Sequence, residues 1–461
     1  ARRQRQMCIR DSTTTQHDAR SKADDRAAAP QGESTMAPKS PMSPVTAPGD
    51  RPFRLSMLIY DRKFRSLTIQ TLVFIIVMLF AAWLVNNTVQ NLARQGKTFD
   101  FGFLWNRAGY DIPFHIIPYS SADTHLRAAM VGLTNTLLVS ALGCVLATII
   151  GVLVGVLRLS RNWLVARLMT VYVEIFRNVP LLLWILVILA LFTEVMPGPR
   201  DYRPDADGNA RAEMILFDSV APTNRYTAVP RLAVDHDPGS VALGPVSLDT
   251  VFLAFVVALV AAWLIHRWLR GWAQARQDAT GRRPLTWPFS LALYLVPLIV
   301  LSRVFGVHFI RPELTGFNFS GGLNLDNGFV VLLLALSLYT GAFIAEIVRA
   351  GILAVSRGQS EAAAALGLQP RGIMGLVILP QALRVIIPPL ISQFLNLTKN
   401  SSLAIAVGYP DLRATLGGTT LNQTGREMES MIVMMGIYLA ISLAISGVMN
   451  VYNARVKLKE R

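Results

Sequence analysis

Residues 361–380 read EAAAALGLQPRGIMGLVILP and separate two long apolar stretches of the chain. Ser360, directly before this segment, is a favourable N-cap, and Glu361 suits the positive end of a helix dipole. The alanines continue a short helix that Gly367 ends, and a second short helix runs to Pro380. Because a face of alanines is flat, a partner surface can approach it closely. We interpret the segment as a helix that docks into another protein; the alternative is an ordinary connecting loop.

The composition of the whole chain indicates a membrane protein. Of its 461 residues, 52% are hydrophobic and only 16% are charged, which excludes disordered, collagen-like and small disulfide-rich proteins. The net charge of +15 would suggest nucleic-acid binding in a soluble protein. Here the basic residues lie between apolar runs, where they orient a membrane chain. We therefore predict that the lipid membrane is a partner and that nucleic acid is not.

The sequence contains no pattern typical of a metal, redox or nucleotide site. Cys8 and Cys144 form no zinc motif, and the six histidines are scattered along the chain. No HExxH motif and no GxxxxGK[ST] phosphate-binding motif occurs. We therefore predict no catalytic residues, no metal and no cofactor.

Eight segments are long and apolar enough to cross a membrane as helices. A hydrocarbon core of about 30 Å requires about 20 apolar residues in helical conformation. The segments are residues 67–86, 129–157, 168–196, 249–269, 285–305, 328–349, 385–408 and 430–452. The sequence therefore predicts an all-α, polytopic integral membrane protein with about eight transmembrane helices.

Basic residues mark alternate loops as cytoplasmic. They cluster before the first span, in the loops near 158–167 and 266–284, and in the C-terminal tail. The even number of spans then places both termini in the cytoplasm. The loop at 200–248, which contains many of the acidic residues, is placed outside.

Residues 1–56 are predicted to form a disordered N-terminal segment. They are rich in Arg, Asp, Ser, Thr, Ala and Pro and cannot bury an apolar core. Residue 1 is not Met, and translation of the natural protein could instead begin at Met7, Met36 or Met42. We therefore expect part of this segment to lie outside the natural protein. The first apolar run, from about Leu67, is longer than the apolar region of a signal peptide. We expect that run to stay in the membrane.

Polar and charged side chains in the third and seventh spans indicate a translocation pathway. Glu174 and Arg177 precede Pro180 in the third span, where a charge near the bilayer centre costs at least about 2.5–3.5 kcal/mol. They are either pathway residues or an ion pair on one helix face. In the seventh span, Pro388 and Pro389 remove two backbone donors. A helix broken at membrane depth needs protein or a water-filled cavity around it, which is typical of a pathway.

Five consecutive polar residues after the two prolines form the second part of the predicted pathway. They are Thr398, Lys399, Asn400, Ser401 and Ser402. Lys399 offers a cation, and its neighbours offer neutral hydrogen bonds to a polar solute. The alternative is a polar helix end whose lysine extends to the interface.

Gly151 and Gly155 form a GxxxG pattern in the second span. This pattern allows two helix backbones to approach closely. We interpret it as a packing contact.

The segment 361–380 resembles the signature of permease subunits of bacterial ABC importers, which reads EAA, three residues, Gly, nine residues and then I-x-L-P. The residues on this spacing are Glu361, Ala362, Ala363, Gly367, Leu379 and Pro380. Val377 stands where the family usually has Ile. The stretches 173–184, 381–412 and 58–67 are similar to the polar amino-acid uptake group, in particular the long membrane subunit of general L-amino-acid or glutamate/glutamine/aspartate/asparagine permeases. The resemblance covers nearly everything after residue 56.

This resemblance implies a type I ABC importer permease fold. The second, third, sixth, seventh and eighth spans would form the permease core, and an outer loop with two further spans would be inserted between them. The implied regions are a first transmembrane helix with outer loop (57–128), core helices (129–196), an inserted periplasmic loop with two extra transmembrane helices (197–325), core helices with the coupling loop 357–380 (326–455) and a cytoplasmic tail (456–461).

The resemblance also implies that transport is shared among several subunits. This chain would be the permease of an L-amino-acid importer in the bacterial inner membrane and would catalyse no covalent change. A pair of cytoplasmic ATPase subunits would receive the helix around Glu361. A second homologous permease would complete the pore, and a periplasmic binding protein would deliver the amino acid. ATP hydrolysis would then switch the spans between inward and outward opening.

Two other functions could also use polar groups inside a membrane. A secondary transporter or channel needs broken helices and intramembrane charges, but the two halves show no convincing inverted repeat and the loop at 361–380 would have no role. A membrane-embedded hydrolase needs a nucleophile with a base partner. His266 and His308 lie near span ends without companions in the sequence.

The predicted orientation can be tested with cysteines placed on opposite sides of the membrane. A membrane-impermeant thiol reagent added from outside should label a cysteine at Asn224 and leave one at Gln277 unlabelled. The reason is that the basic loop around Gln277 is retained in the cytoplasm. Equal labelling of the two positions would contradict this topology.

Overall fold

The structure is a computed structural model that describes residues 62–94, 96, 99–204, 209–243, 246–282 and 284–456. The predicted disordered segment 1–56 lies outside these residues, as does the predicted tail apart from Val456. The chain divides into two units, Ala1–Gly96 and Lys97–Arg461. In the first unit, helix α1 (Arg62–Arg94) contains the predicted first span.

The second unit consists mainly of helices. They are α2 (His125–Leu157), α3 (Trp163–Asn178), α4 (Leu181–Ala190), α5 (Thr250–Thr280), α6 (Trp287–Val304), α7 (Asn327–Leu353), α8 (Arg357–Ala365), α9 (Pro370–Gly372), α10 (Leu379–Asn400), α11 (Leu412–Ala414), α12 (Leu421–Thr424) and α13 (Glu427–Val456). Among the described residues, 7 helices are long and apolar enough to cross a membrane, or up to 8 if the bent pair formed by α3 and the segment Leu181–Val195 counts as one span. The predicted all-α membrane fold with about eight spans is confirmed.

The third predicted span is bent sharply rather than straight. Helix α3 and the segment Leu181–Val195 meet at an angle of 107°. Val179 between them is extended, with φ −109° and ψ 134°. The ring of Pro180 disfavours a helical backbone at the residue before it, which accounts for the break.

The seventh predicted span is continuous where we expected a break. Helix α10 runs from Leu379 to Asn400 through both Pro388 and Pro389. Each proline removes one internal donor, but the helix continues on both sides of the pair without a break. The expectation that these prolines break the helix is therefore wrong.

The second short helix of the 361–380 segment also continues further than predicted. A wider π-helical segment, Ile373–Ile378, leads directly into α10, so the helix passes Pro380 instead of ending there. A wider turn relieves the clash between a proline ring and the carbonyl of the preceding turn. The expected end at Pro380 is wrong for this reason.

Short antiparallel strands cover one end of the bundle. They are β1 (Ala221–Pro222), β2 (Tyr226–Val229), β3 (Arg231–Val234), β4 (Ser240–Leu243), β5 (Val246–Asp249), β6 (Val307–Ile310), β7 (Glu313–Thr315), β8 (Asn318–Ser320) and β9 (Leu323–Asp326). They form a sheet in the order β1–β2–β9 and the pairs β3–β6, β4–β5 and β7–β8. Runs of two to four residues carry no usable periodicity, so the sequence analysis missed them.

The strands define two ends of the molecule. Strand β2 pairs with β9, which leads directly into α7, and β3 pairs with β6, which directly follows α6. We call this end the strand face. The opposite end carries Arg158, α8 and the start of α10, and we call it the loop face.

The core lies where α2 crosses α7. A Cβ atom at Gly151 would lie 2.5 Å from the side chain of Ile344, and one at Gly155 would lie 2.7 Å from the carbonyl oxygen of Ala345. Only glycine allows this approach, so the packing interpretation of the GxxxG pattern is confirmed. Residues of α4, α7 and α10, including Ile185, Leu336 and Leu397, complete a buried apolar cluster.

Substituting Gly151 by Ala should weaken this helix crossing. The new methyl group would overlap Ile344, and overpacking of this kind typically costs about 1–3 kcal/mol. Gly447→Ala is a matched control, because a Cβ atom at Gly447 meets nothing within 4 Å. Thermal unfolding of the purified protein in detergent should show a lower melting temperature for Gly151→Ala alone. Equal melting temperatures for the two variants would contradict the close crossing.

Candidate functional site

The segment between α7 and α10 folds into two helical layers on the loop face. Ser356 precedes the first layer with an extended backbone, so α8 begins at Arg357, about one turn before the predicted start. Ser360 is therefore not the N-cap; it lies inside the helix, where its hydroxyl donates to the carbonyl of Arg357 at 2.7 Å. Glu361 lies in the second turn, which weakens its expected interaction with the helix dipole.

Gly367 ends α8 as predicted. Its φ of +80° lies in the left-handed region, which side chains with a Cβ atom rarely adopt. The amide of Gly367 donates to the carbonyl of Ala364 at 2.9 Å, and the amide of Leu368 donates to that of Ala363 at 3.2 Å. These two bonds form a Schellman motif, which turns the chain toward the second layer.

The six motif residues of this segment are divided between its surface and its interior. Glu361, Ala362, Leu379 and Pro380 are exposed, whereas Ala363 is buried. Ile373 of the second layer is also buried. Leu366 and Leu376 lie close in sequence to the motif and are 84% and 72% exposed. An acidic group, a flat alanine face and exposed leucines together indicate a surface built for contact with another protein.

A cluster of charges joins three helices near the loop face. Glu346 of α7 accepts hydrogen bonds from Arg158, directly after α2, and from Arg349 at 2.8 Å. Arg177 of α3 lies 3.9 Å from the same carboxylate, and its guanidinium lies over the ring of Phe343. The Arg158 side chain is only 8% exposed. The cluster therefore connects the bend after α3 with the α2–α7 crossing.

The predicted pairing of Glu174 with Arg177 does not occur. The Glu174 carboxylate accepts from the side-chain amide of Asn178 at 3.3 Å, while Arg177 faces Glu346. The pairing of Glu346 with Arg158 was not predicted from the sequence. The one available signal was an acidic residue inside an apolar span, which requires a cation nearby.

The five polar residues at the end of α10 point in different directions. Thr398 and Ser401 are buried, and their hydroxyls donate to the backbone carbonyls of Phe394 and Thr398. Lys399 and Ser402 instead line a groove of about 330 Å³. The other lining residues are Tyr438, Leu439 and Ser442 of α13. Asn400 is half-buried and does not line this groove.

No carboxylate of the described residues lies within 4.0 Å of the Lys399 ammonium group, and no hydrogen bond or ion pair in that part of the chain joins residues 398–402 to Glu174 or Arg177. The two halves of the predicted pathway are therefore not in direct contact. Within the same residues, no group of three or more His, Cys, Asp and Glu side chains is arranged to hold a metal ion.

A buried polar network closes the bundle at the strand face, beside this groove. The Asn135 amide donates to the carbonyls of Phe114 and Pro410, at 2.8 and 2.9 Å. The Tyr438 hydroxyl donates to Asp411 at 3.3 Å. Burial raises the pKa of Asp411 to about 6, while hydrogen bonds from the backbone amides of Ala414 and Arg413 act in the opposite direction. The sequence analysis did not identify this network.

Comparison with known proteins identifies a family. The family described as "Binding-protein-dependent transport system inner membrane component" matches residues 147–458. The glutamate/glutamine/aspartate/asparagine transport system permease protein BztB of Rhodobacter capsulatus is 57% identical over 91% of this chain and 100% of its own length. The general L-amino acid transport system permease protein AapQ of Rhizobium johnstonii is 46% identical over 89% and 96%. The putative amino-acid ABC transporter permease protein YhdX of Escherichia coli is 44% identical over 86% and 95%.

Replacing Glu346 by Gln should destabilise the charge cluster. The substitution leaves the nearly buried Arg158 without its anion, and hydrogen bonds to charged groups contribute on the order of 1.5–3 kcal/mol. Glu174→Gln makes the same chemical change at an exposed position of the neighbouring helix and should alter stability by less than about 0.5 kcal/mol. Melting temperatures in detergent measure the difference. If Glu174→Gln were the more harmful variant, the cluster would not have the role assigned here.

Proposed function

Since the chain belongs to the family of binding-protein-dependent transport system inner membrane components, and is thus the permease subunit of an ABC importer rather than an enzyme, we propose that it carries L-amino acids into the cytoplasm. Relatives described as permeases for glutamate, glutamine, aspartate and asparagine, and for general L-amino acids, support this substrate class. ATP binds to and is hydrolysed by a separate subunit.

The complete importer comprises four kinds of subunit in this proposal. The family implies an ATPase and a binding protein as partners. A second homologous permease completes the pore, and a periplasmic binding protein delivers the amino acid at the strand face. The complex lies in the bacterial inner membrane, with both termini of this chain in the cytoplasm.

The two-layered segment on the loop face is the proposed contact with the ATPase. The observation that carries this assignment is the arrangement of Glu361, Ala362 and Leu366 on the surface of α8, held by the left-handed turn at Gly367. Helix α8 begins only four residues after α7 ends, and the second layer continues into α10. A displacement of the segment by the ATPase is therefore transmitted to two core helices at once.

Substitutions in this segment should uncouple transport from ATP hydrolysis. Gly367→Val places a β-branched side chain at φ +80°, at a cost of about 1–3 kcal/mol, and Glu361→Lys reverses the exposed charge. Both variants should insert normally, lose their ATPase on purification and lose uptake in proteoliposomes.

Gly358→Val is the matched control for Gly367→Val. Gly358 lies in the first turn of α8, the helix that Gly367 ends. Neither position has an atom within 4 Å of an added Cβ, but only Gly367 has a positive φ. The control should retain more ATPase than Gly367→Val does. Wild-type assembly and uptake by both Gly367→Val and Glu361→Lys would refute the coupling assignment.

The groove beside α13 is the proposed part of the substrate pathway in this chain. An amino acid that crosses the membrane needs groups to replace the water around its carboxylate and its ammonium group. The Lys399 ammonium group suits the carboxylate. The hydroxyls of Ser402 and Tyr438 already donate to the Lys399 carbonyl and to Asp411, so they can accept from the substrate's ammonium group, and the Ser442 hydroxyl can donate or accept. Thr398, Asn400 and Ser401 shape the turn that carries Lys399 and Ser402. Glu174 and Arg177 contribute to the proposed pathway at the bend of the third span.

Lys399→Met should slow uptake strongly without disassembling the importer. The described residues contain no carboxylate partner that the substitution would strand, so the variant should fold and keep basal ATP hydrolysis. Loss of one charged hydrogen bond to the substrate predicts about 10- to 100-fold slower uptake. Lys399→Arg, which keeps the cation, should retain more transport.

The Lys399 experiment separates three roles. Loss of the assembled complex in Lys399→Met would assign the lysine a structural role instead. Normal assembly together with normal uptake would show that residues 398–402 are only a polar helix end near the interface.

A further inference from the structure

Helix α5 is longer than the membrane is thick. Its 31 residues span about 46 Å at about 1.5 Å per residue, against a hydrocarbon core of about 30 Å. The residues after Thr250 are apolar as far as Ile265, and Arg267 lies about 26 Å along the helix. Counted from Thr250, a core of about 30 Å ends near Arg270, so the long side chain of Arg267 reaches the headgroup region and the rest of α5 passes through that region and beyond it.

This part of α5 has a shallow groove on one face. The groove has a volume of about 570 Å³ and is lined by Leu264, Arg267, Trp268, Gly271, Trp272 and Ala275. Gly271 lies between the two tryptophans, and a Cβ atom there would meet nothing within 4 Å. The missing side chain forms the floor of the groove.

The opposite face of α5 packs against α6. The ring centroids of His266 and Tyr294 are 5.7 Å apart, and Ala262 and Ala273 are buried. Trp268 and Trp272, by contrast, are 69% and 41% exposed. Among the described residues of the second unit, none outside α5 lines the groove.

The groove has the charge that an anionic ligand requires. The described residues from Thr250 to Arg282 contain four arginines and one aspartate. The aspartate, Asp278, accepts a hydrogen bond from Gln274 at 3.2 Å. The guanidinium groups of Arg267 and Arg276 lie over Trp263 and Trp272, at 5.9 and 5.2 Å from the ring centroids. Stacking of this kind holds each guanidinium in place while its outer N–H groups remain free.

We propose that this groove binds an anionic phospholipid, with the phosphate at Arg267 and one acyl chain along Leu264 and Trp268. A zwitterionic lipid would offer the same phosphate, but its own ammonium group would be repelled by the surrounding arginines. The site goes beyond the proposed transport function, which it does not require. It rests only on placing α5 in a membrane.

The proposal can be tested on the purified full-length chain by native mass spectrometry. The probes are dioleoyl phosphatidylglycerol and dioleoyl phosphatidylcholine, titrated separately into the detergent-solubilised protein. The wild-type chain should bind phosphatidylglycerol more tightly. Arg267→Gln should weaken that binding about five-fold, the usual effect of one basic residue at a membrane surface.

Two further variants separate a defined groove from diffuse attraction to a basic surface. Arg270→Gln removes the same charge at a similar depth but outside the groove, so its effect should be clearly smaller than that of Arg267→Gln. Gly271→Leu changes no charge and fills the floor of the groove, where an added Cβ atom meets nothing within 4 Å, so it should weaken binding of phosphatidylglycerol.

Unchanged melting temperatures establish that these variants are folded. Equal effects of Arg267→Gln and Arg270→Gln, or normal binding by Gly271→Leu, would refute the proposal that this groove is the lipid-binding site. Equal affinity of the wild-type chain for the two lipids would refute the proposed preference for an anionic lipid. None of these results would bear on amino-acid uptake, so a failure here is distinguishable from a failure of the transport assignment.

Discussion

The close crossing of α2 and α7 is the constraint on which the rest of the second unit depends. Two glycines on α2 bring its backbone against Ile344 and Ala345 of α7, and a larger side chain at either position would separate the helices. Contacts at both ends fix how far one helix can slide along the other. At the loop face the Arg158–Glu346 ion pair joins the two helices. At the strand face they are joined through Tyr409, whose hydroxyl donates to the carbonyl of Asn135 and whose ring centroid lies 5.6 Å from that of Phe329.

This fixed pair of helices explains how the predicted functional regions are positioned. Helix α7 leads directly into the two-layered segment that contains Glu361, so the exposed surface of that segment is carried by the most buried helix of the bundle. Helix α10 returns from the same segment and ends at Lys399 and Asn400, beside α13. The two-layered segment therefore lies at one end of this scaffold and the polar groove toward the other.

Helices α5 and α6 have a different character. The buried residues of α5 are few, and α6 has none among its described residues. Their attachment to the remainder of the unit runs largely through the strands, in which β3 and β6 join the chain before α5 to the chain after α6. A helix pair that contributes little to the core is free to present its surface to lipid, which fits the arginines and tryptophans of α5.

The sequence alone determined the membrane class, the number of spans, the motif at Glu361 to Pro380 and the left-handed turn at Gly367. Each of these depends on local chemistry: hydrophobic length, residue spacing, or a backbone conformation that one residue type favours. The tertiary structure decided where the helices bend, since Pro180 breaks a span while Pro388 and Pro389 do not. It also decided that Glu346 is held by Arg158, 188 positions away in the chain, and that Lys399 and Ser402 share a groove from which Thr398 and Ser401 turn away. The last two features depend on which neighbour pairs with a charge or bonds to a hydroxyl, and that neighbour is known only once the helices are packed.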